Sequence, residues 1–482
     1  MRRDIIQLIR YRPAQIITLV TLFVSAVIAL DLLPALRGVA GEWQWTHNSL
    51  DFIPWRLIFP ILIALALYRI STPSIQSPIS NLYLLIFAVL ALTLRLSLQA
   101  LTANSFSIIA STLNPSYFGY FPPAAAIDDL VKFLRDFTQA QLTLPYYRLS
   151  THPPGGVVFH WFIIQFVKIF PTQLLDPILT PRLASLPSWI NDYTLPEVIA
   201  GAVTSLTIPF LSSLSIVPLY HLARALWDER VARLAILLYA FIPALTVFTP
   251  VFDDVFTLIT SLTLYFTVVG IKNQKRVQLF LAGLICGAGL FASFGLLPLL
   301  LIINLYSLII APRRIIGNGI TLAIGGVTVW TLAWITFDLN PFVIYSNSMS
   351  EHAILTTTRS YWTWLIYNPY DVLLFAGVPI SILFLGCLIR CCRQLFVERS
   401  PSSADHLLIA FVITFSLILI SGNLRGETAR VLLFVQPILA LFAARELTPH
   451  PFGSRIRLYA ILIITLLLIQ TITFQTTLSV YH

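Results

Sequence analysis

Charge is what this chain has least of. Asp, Glu, Lys and Arg together supply 11% of its 482 residues, while apolar residues supply 57%. At a mean hydropathy of +0.84, a soluble fold has no way to cover so much apolar surface, whereas a bilayer solvates it. Cysteine is scarce as well: the four copies are Cys286 in an apolar run and Cys387, Cys391 and Cys392 at a helix end, which is no disulfide framework. The Cys391-Cys392 pair, flanked by Arg390 and Arg393, reads as ordinary thiols at a membrane edge, with acylation as the alternative. Glycine-rich phosphate loops of the Walker type, HExxH and CxxC are all missing, which argues against soluble nucleotide chemistry. The net charge of +9 does not point to nucleic acid, because the basic residues are scattered singly through short loops and report topology instead.

What is present is a series of apolar segments, beginning near Ala14, Ile53, Asn81, Glu197, Leu234, Val255, Val277, Leu296, Ile316, Val372, His406, Val431 and Leu458. They predict an all-α, polytopic membrane protein of about 13 transmembrane helices. The first, Ala14 to Leu32, is too long for a signal peptide and has no small-residue cleavage site after it, so it is expected to be retained. Residues 1–80 read as an N-terminal two-helix addition. Residues 81–312 read as a core containing an extracytoplasmic loop at 103–196, and residues 313–482 as C-terminal helices with outer loops at 338–371 and 421–430. With the N-terminus cytoplasmic, most of the basic short loops fall inside. Val157 to Phe170 is only about 14 residues and reads as re-entrant or interfacial. Were it a true span, every later loop would invert and the basic clusters would move outside.

The long outer loop holds the first candidates. Ala124 to Phe137 predicts one amphipathic helix with Pro122-Pro123 at its start. Its polar face carries Asp128 and Asp129, readable either as a salt-bridged membrane surface or as a general base in a cleft. His152-Pro153-Pro154-Gly155 predicts an extended elbow presenting the imidazole before the next helix; a stiff turn with a solvated histidine is the alternative. Asp253-Asp254 interrupts apolar sequence, where ionisable groups line a cavity or mark a tight outer turn. Ser421 to Arg430 is the densest polar run outside the long loop. In it Arg425 and Arg430 offer bidentate donors for phosphate, Glu427 orients Arg430 or binds a hydroxyl, and Gly422 and Gly426 permit a tight turn; interfacial snorkelling of the two arginines is the alternative. Arg95 is a lone charge among leucines and needs a partner. Trp43-Gln44-Trp45 and Tyr361-Trp362-Thr363-Trp364 read as interfacial anchors, and His352 beside Glu351 is a further candidate.

These motifs form a series: Leu94-Arg95-Leu96 in a span, a long outer loop, His152-Pro153-Pro154-Gly155, then Leu222-Ala223-Arg224-Ala225-Leu226 and Leu237-Leu238-Tyr239-Ala240-Phe241-Ile242-Pro243 with an aspartate shortly after. The series resembles the GT-C superfamily of membrane glycosyltransferases, with protein O-mannosyltransferases and bacterial aminoarabinose transferase nearest by pattern. The resemblance covers roughly Leu82 to Asp254, with Arg425 to Arg430 like a late run in bacterial members. It implies transfer of a sugar from a polyprenyl-phosphate donor to a lipid, glycan or protein acceptor on the extracytoplasmic side, with inversion. A multi-pass cell-membrane location follows, with membrane lipids and no nucleic acid as partners. No cofactor is implied with certainty, and a divalent metal is possible. The family's early outer acid is missing: between Arg95 and Asp128 no acidic residue occurs, so Asp128, Asp129, or Glu42 and Asp51 of the first loop are left to supply it. In this reading Asp128 or Asp129 is catalytic, and His152, Asp253, Asp254, Arg425, Glu427 and Arg430 bind substrate. A flippase or transporter for lipid-linked glycans, or an inactive protein of this fold, are the alternatives.

Overall fold

In the computed structural model the apolar runs are helices almost throughout. The structure describes residues 2–48, 52–71, 77–102, 107–114, 119–144, 146–172, 188–448 and 455–479. Asp51 and the Pro115-Ser116-Tyr117-Phe118 run lie outside the described residues. Among the described residues seven helices are long and apolar enough to cross a membrane: Asn81–Gln99, Leu195–Leu226, Phe252–Asn273, Pro312–Phe337, Val378–Glu398, Ser403–Ser421 and Ile456–Thr477. Four shorter apolar helices accompany them, Ala14–Ala29, Gly155–Lys168, Arg276–Ala292 and Phe294–Ile310.

The expected count of about 13 spans is therefore not reproduced, and two of the expected spans show why. Leu234 lies in the helix Glu229–Ala240, of 12 residues, and the run from Val431 resolves into short turns and the 11-residue helix Gln436–Glu446. At 1.5 Å per residue each reaches less than about 20 Å, short of a bilayer core. Every residue from Val231 to Ala240 and from Gln436 to Ala444 is buried, and the two helices pack on each other. A segment apolar on all sides is as well suited to a protein interior as to lipid. Arg233 is tolerated in that interior because Glu229 accepts from its Nε at 2.8 Å and the Ser77 carbonyl from its Nη2 at 2.7 Å.

Backbone proximity holds other helices together. The most extensive crossing is between Arg276–Ala292 and Ile315–Phe337. There a methyl group at Gly283 would overlap the Leu322 carbonyl, one at Gly287 the Gly326 carbonyl, and one at Gly325 the Phe280 carbonyl. In lipid, where burial between apolar helices gains little, such small-residue contacts supply the van der Waals packing.

Two local departures matter for the site. The amphipathic helix expected over Ala124 to Phe137 is three pieces, Phe121–Ala125, Leu130–Arg135 and Phe137–Thr143. Asp129 breaks it, because its carboxylate caps the middle piece and accepts from the Val131 and Lys132 amides at 2.9 and 3.1 Å; such capping residues favour starts over interiors. The loop after the first helix folds on itself, Gly38–Val39 pairing with Trp43–Gln44, and is tied to the far end of the chain by the antiparallel pairing of Thr46–His47 with Leu478–Ser479.

Candidate active site

A cavity of about 300 Å³ lies at one end of the helices and draws on segments far apart in sequence. His152, Asp253, Arg425, Glu427 and Arg430 all line it, together with Arg148, Phe294, His352 and Arg359. Asp254 stands behind this wall, and Asp128 and Asp129 are exposed and outside it.

His152 reaches the cavity because the residue before a proline is pushed to extended backbone. Its φ of −135° and ψ of 156° separate the short helix Tyr147–Thr151 from Gly155–Lys168. Helix runs right up to Thr151, so the prolines restrict only His152 itself. The imidazole Nδ1 is 2.8 Å from the Thr151 hydroxyl, and the ring meets Tyr120 edge-on at 5.8 Å. Burial, then the charges of Arg148, Arg430 and His352, hold its pKa well below the ordinary value of 6.5. The imidazole is thus neutral, with a ring nitrogen available to donate or accept. The same burial, aided by Asp253, raises the Tyr120 phenol and keeps it protonated.

The charged wall is one linked cluster. Arg430 donates through Nη1 to Asp253 Oδ2 at 3.1 Å and through Nε to Glu427 Oε2 at 2.9 Å, and Nη2 also meets Glu427. Arg148 approaches Glu427 at 4.0 Å. Burial works against the Glu427 carboxylate, but Arg430 and Arg148 outweigh it and hold the pKa below the usual range. Arg148, four residues before His152, carries no motif of its own. Its proximity to the elbow was the one available signal.

The turn carrying Glu427 and Arg430 is held from behind. Gly422, Gly426 and Glu427 have φ of 65°, 95° and 53°, the left-handed conformation that glycine accepts freely and glutamate only when its surroundings enforce it. Asp371 accepts from Trp45 Nε1 at 3.0 Å and from the Ala429 amide at 2.8 Å, while Asn368 bonds the Leu424 carbonyl and the Thr428 hydroxyl at 2.6 Å each. Ala429 N–H is thus engaged at the start of the short helix Thr428–Val431. Arg425 lines the cavity, with its Nε donating to the Gly422 carbonyl at 2.9 Å and its Nη1 to the carbonyls of Thr356 and Arg359 at 3.1 and 2.7 Å. His352 bonds the Asn423 carbonyl at 2.7 Å. Glu42 accepts from the Ser360 amide and from Trp364 Nε1, at 2.9 and 2.6 Å, and so braces the same region; Trp364 through Glu42 and Trp45 through Asp371 thus hold the turn.

Arg95 finds its partner in Asp254. The ion pair, 3.1 Å long and 0% and 1% exposed at its two side chains, is extended by Ser212, which bonds Arg95 at 2.9 Å and Asp254 at 2.7 Å. Tyr239 bonds Thr257 at 2.9 Å beside it. A charge at membrane depth persists when it is paired and hydrogen-bonded. Anchoring Asp254 on this side leaves its neighbour Asp253 on the cavity side.

Beside the cavity runs an apolar groove of about 420 Å³ lined by Leu322, Val327, Trp330 and Phe342 among others. Phe294 separates the two: it lines the cavity, and its ring stacks on Trp330 at 5.6 Å and 9°. The cavity's donor set does not fit a divalent cation. Its two carboxylates, Asp253 and Glu427, both bond Arg430, and among the described residues no three His, Cys, Asp or Glu side chains gather to hold an ion.

A family model described as dolichyl-phosphate-mannose-protein mannosyltransferase matches residues 202–336, a stretch that includes Ser212, Asp253, Asp254 and the glycine crossing. No curated protein matches the chain. Among solved structures, the Archaeoglobus fulgidus oligosaccharyltransferase complexed with Zn and sulfate is similar at 15% identity and a TM-score of 0.45, covering 82% of this chain and 53% of that one. The chain thus spans about half the length of that neighbour. Over residues 202–336 the chain is thus similar to the dolichyl-phosphate-mannose-protein mannosyltransferases.

Proposed function

We propose that the chain is an inverting membrane glycosyltransferase that moves a sugar from a polyprenyl-phosphate donor to an acceptor hydroxyl on the extracytoplasmic side. The observation that carries this reading is the cationic cavity, where Arg148, Arg359, Arg425 and Arg430 face the two carboxylates Asp253 and Glu427, opening next to an apolar groove. The cavity suits a sugar phosphate and the groove an isoprenoid chain.

Donor phosphate would compete with Asp253 for Arg430, since both are anions seeking the same guanidinium. Its arrival draws Arg430 away and frees the carboxylate. Asp253 then takes the proton of the acceptor hydroxyl as its oxygen attacks the anomeric carbon, and the bond from that carbon to phosphate oxygen breaks. Charge growing on the departing phosphate is met by Arg430 and Arg148. Glu427 keeps its hold on Arg430 Nε while Nη1 leaves Asp253 for the phosphate, and neutral His152 contributes a hydrogen bond to phosphate or acceptor. Arg425 serves the turn's shape rather than the phosphate. In this scheme the base is Asp253 in place of Asp128 or Asp129, which lie outside the cavity.

The test is membranes containing the protein, fed polyprenyl-phosphate-linked sugars and assayed for released polyprenyl phosphate. Transfer is expected from the native chain and not from Asp253→Asn. Full transfer by Asp253→Asn would overturn the base assignment, and no release with any lipid-linked sugar would overturn the reaction.

A further inference from the structure

A second cavity lies at the opposite end of the helices. Three helices run from one to the other. Phe256–Asn273 has Phe256 at the first cavity and Lys272 near the second, Leu297–Ile310 has Leu297 and Tyr306, and Ser403–Ser421 has Ser421 and Ser403. An 18-residue helix spans about 26 Å between its terminal residues, close to the thickness of a bilayer core. The two cavities therefore open at opposite membrane faces.

The second cavity measures about 760 Å³ and its lining includes Lys272, Arg313 and Arg314, with no acidic residue. Lys272 donates to the Ala225 carbonyl at 3.1 Å, which fixes its position and leaves two of its three protons free for a ligand. Arg313 and Arg314 have no ion-pair partner among the described residues. Asp405, two residues beyond Ser403, is turned back on Ser402, accepting from its amide and hydroxyl at 2.7 and 2.6 Å. Exposed apolar side chains continue from the rim: Ile316 is 75% exposed, Ile320 55% and Leu308 45%. Three cations grouped around a recess, beside a surface made for acyl chains, match one kind of molecule in both its parts.

We infer that this cavity binds the phosphodiester headgroup of an anionic phospholipid from the leaflet opposite the sugar-transfer cavity, with the acyl chains lying along Ile316 and Ile320. Phosphate oxygens would accept from the guanidinium groups of Arg313 and Arg314 and from the ammonium of Lys272.

The full chain in nanodiscs of mixed phosphatidylcholine and phosphatidylglycerol, followed by native mass spectrometry, reads out which lipid stays bound. The native protein should retain phosphatidylglycerol in preference. The Lys272→Gln, Arg313→Gln, Arg314→Gln variant should lose that preference by about tenfold or more. Arg393→Gln with Arg399→Gln, basic residues at the same end but outside the cavity, should keep it. Should the triple variant fail to fold, Arg314→Gln alone is expected to weaken retention about threefold. Equal retention by native and variant chains overturns the site. An equal loss in the Arg393, Arg399 control reduces it to diffuse charge and also overturns it. Displacement of the lipid by inorganic phosphate would assign the cavity to a soluble anion and overturn the lipid.

Discussion

Arg430 lies 3.1 Å from Asp253 although 177 positions separate them in sequence. The pair ties the late polar turn to the first turn of a membrane-spanning helix, and with Glu427 it sets the charge of the cavity. Because Arg430 is shared between two carboxylates, removing it leaves Asp253 without its cation and Glu427 with Arg148 at 4.0 Å.

Arg430→Gln should therefore destabilise the protein by about 3–5 kcal/mol, the range for breaking a desolvated pair. Adding Asp253→Asn should restore part of that stability while transfer stays at least about a hundredfold down. Thermal unfolding and transfer assays on the two single variants and the double separate the effects. Recovered activity in the double variant would contradict the assignment of Asp253.

The lowered pKa of His152 has a definite sign for stability. Below 6.5 the unfolded chain takes up a proton that the folded chain refuses. This group's contribution is thus full above 6.5 and is lost as pH falls from there toward its folded pKa. Replacing it with Asn should flatten the pH dependence of unfolding on the acid side of 6.5 and leave it unchanged above. An identical slope in the two proteins would mean that the folded ring takes up its proton as readily as the unfolded one.

Asp129 offers a control outside the cavity. Asp129→Ala should cost about 1 kcal/mol through the lost cap, and Asp129→Asn less, with transfer retained in both and in Asp128→Asn. Loss of transfer in Asp128→Asn at native stability would return the base to that loop.

At the glycine crossing, Gly283→Ala should destabilise by about 1–3 kcal/mol, because the added methyl meets a carbonyl rather than a movable side chain. Gly317→Ala, where nothing lies within 4 Å of the added carbon, should be neutral or slightly stabilising. Thermal unfolding in detergent distinguishes them.

How much of this could be read from residues alone depended on range. The elbow at His152 was legible because proline restricts its immediate neighbour. Arg95 was legible as a charge needing a partner, but Asp254 lies 159 positions away, and no local pattern connects the two. Asp128 and Asp129 attracted attention by their pairing, yet a helix cap and a solvated carboxylate look the same in sequence as a base. Asp371 escaped attention because its value lies in what it joins, a tryptophan from the first loop and an amide from the late turn. The overall helical class followed from composition. The count of spans did not, since an apolar segment does not reveal whether lipid or protein surrounds it.

That single carboxylate has a consequence for how the protein is made. Trp45 emerges from the ribosome early, Asp371 late, and Ala429 later still, and Asp371 bonds both of the others. The turn bearing Glu427 and Arg430 can settle only onto surfaces already in place, so the cavity is among the last parts to take shape during synthesis. A chain interrupted before residue 428 would lack Ala429, the late partner of Asp371, and the span Ile456–Thr477 as well. It would also lack Arg430, and with it the partner of Asp253.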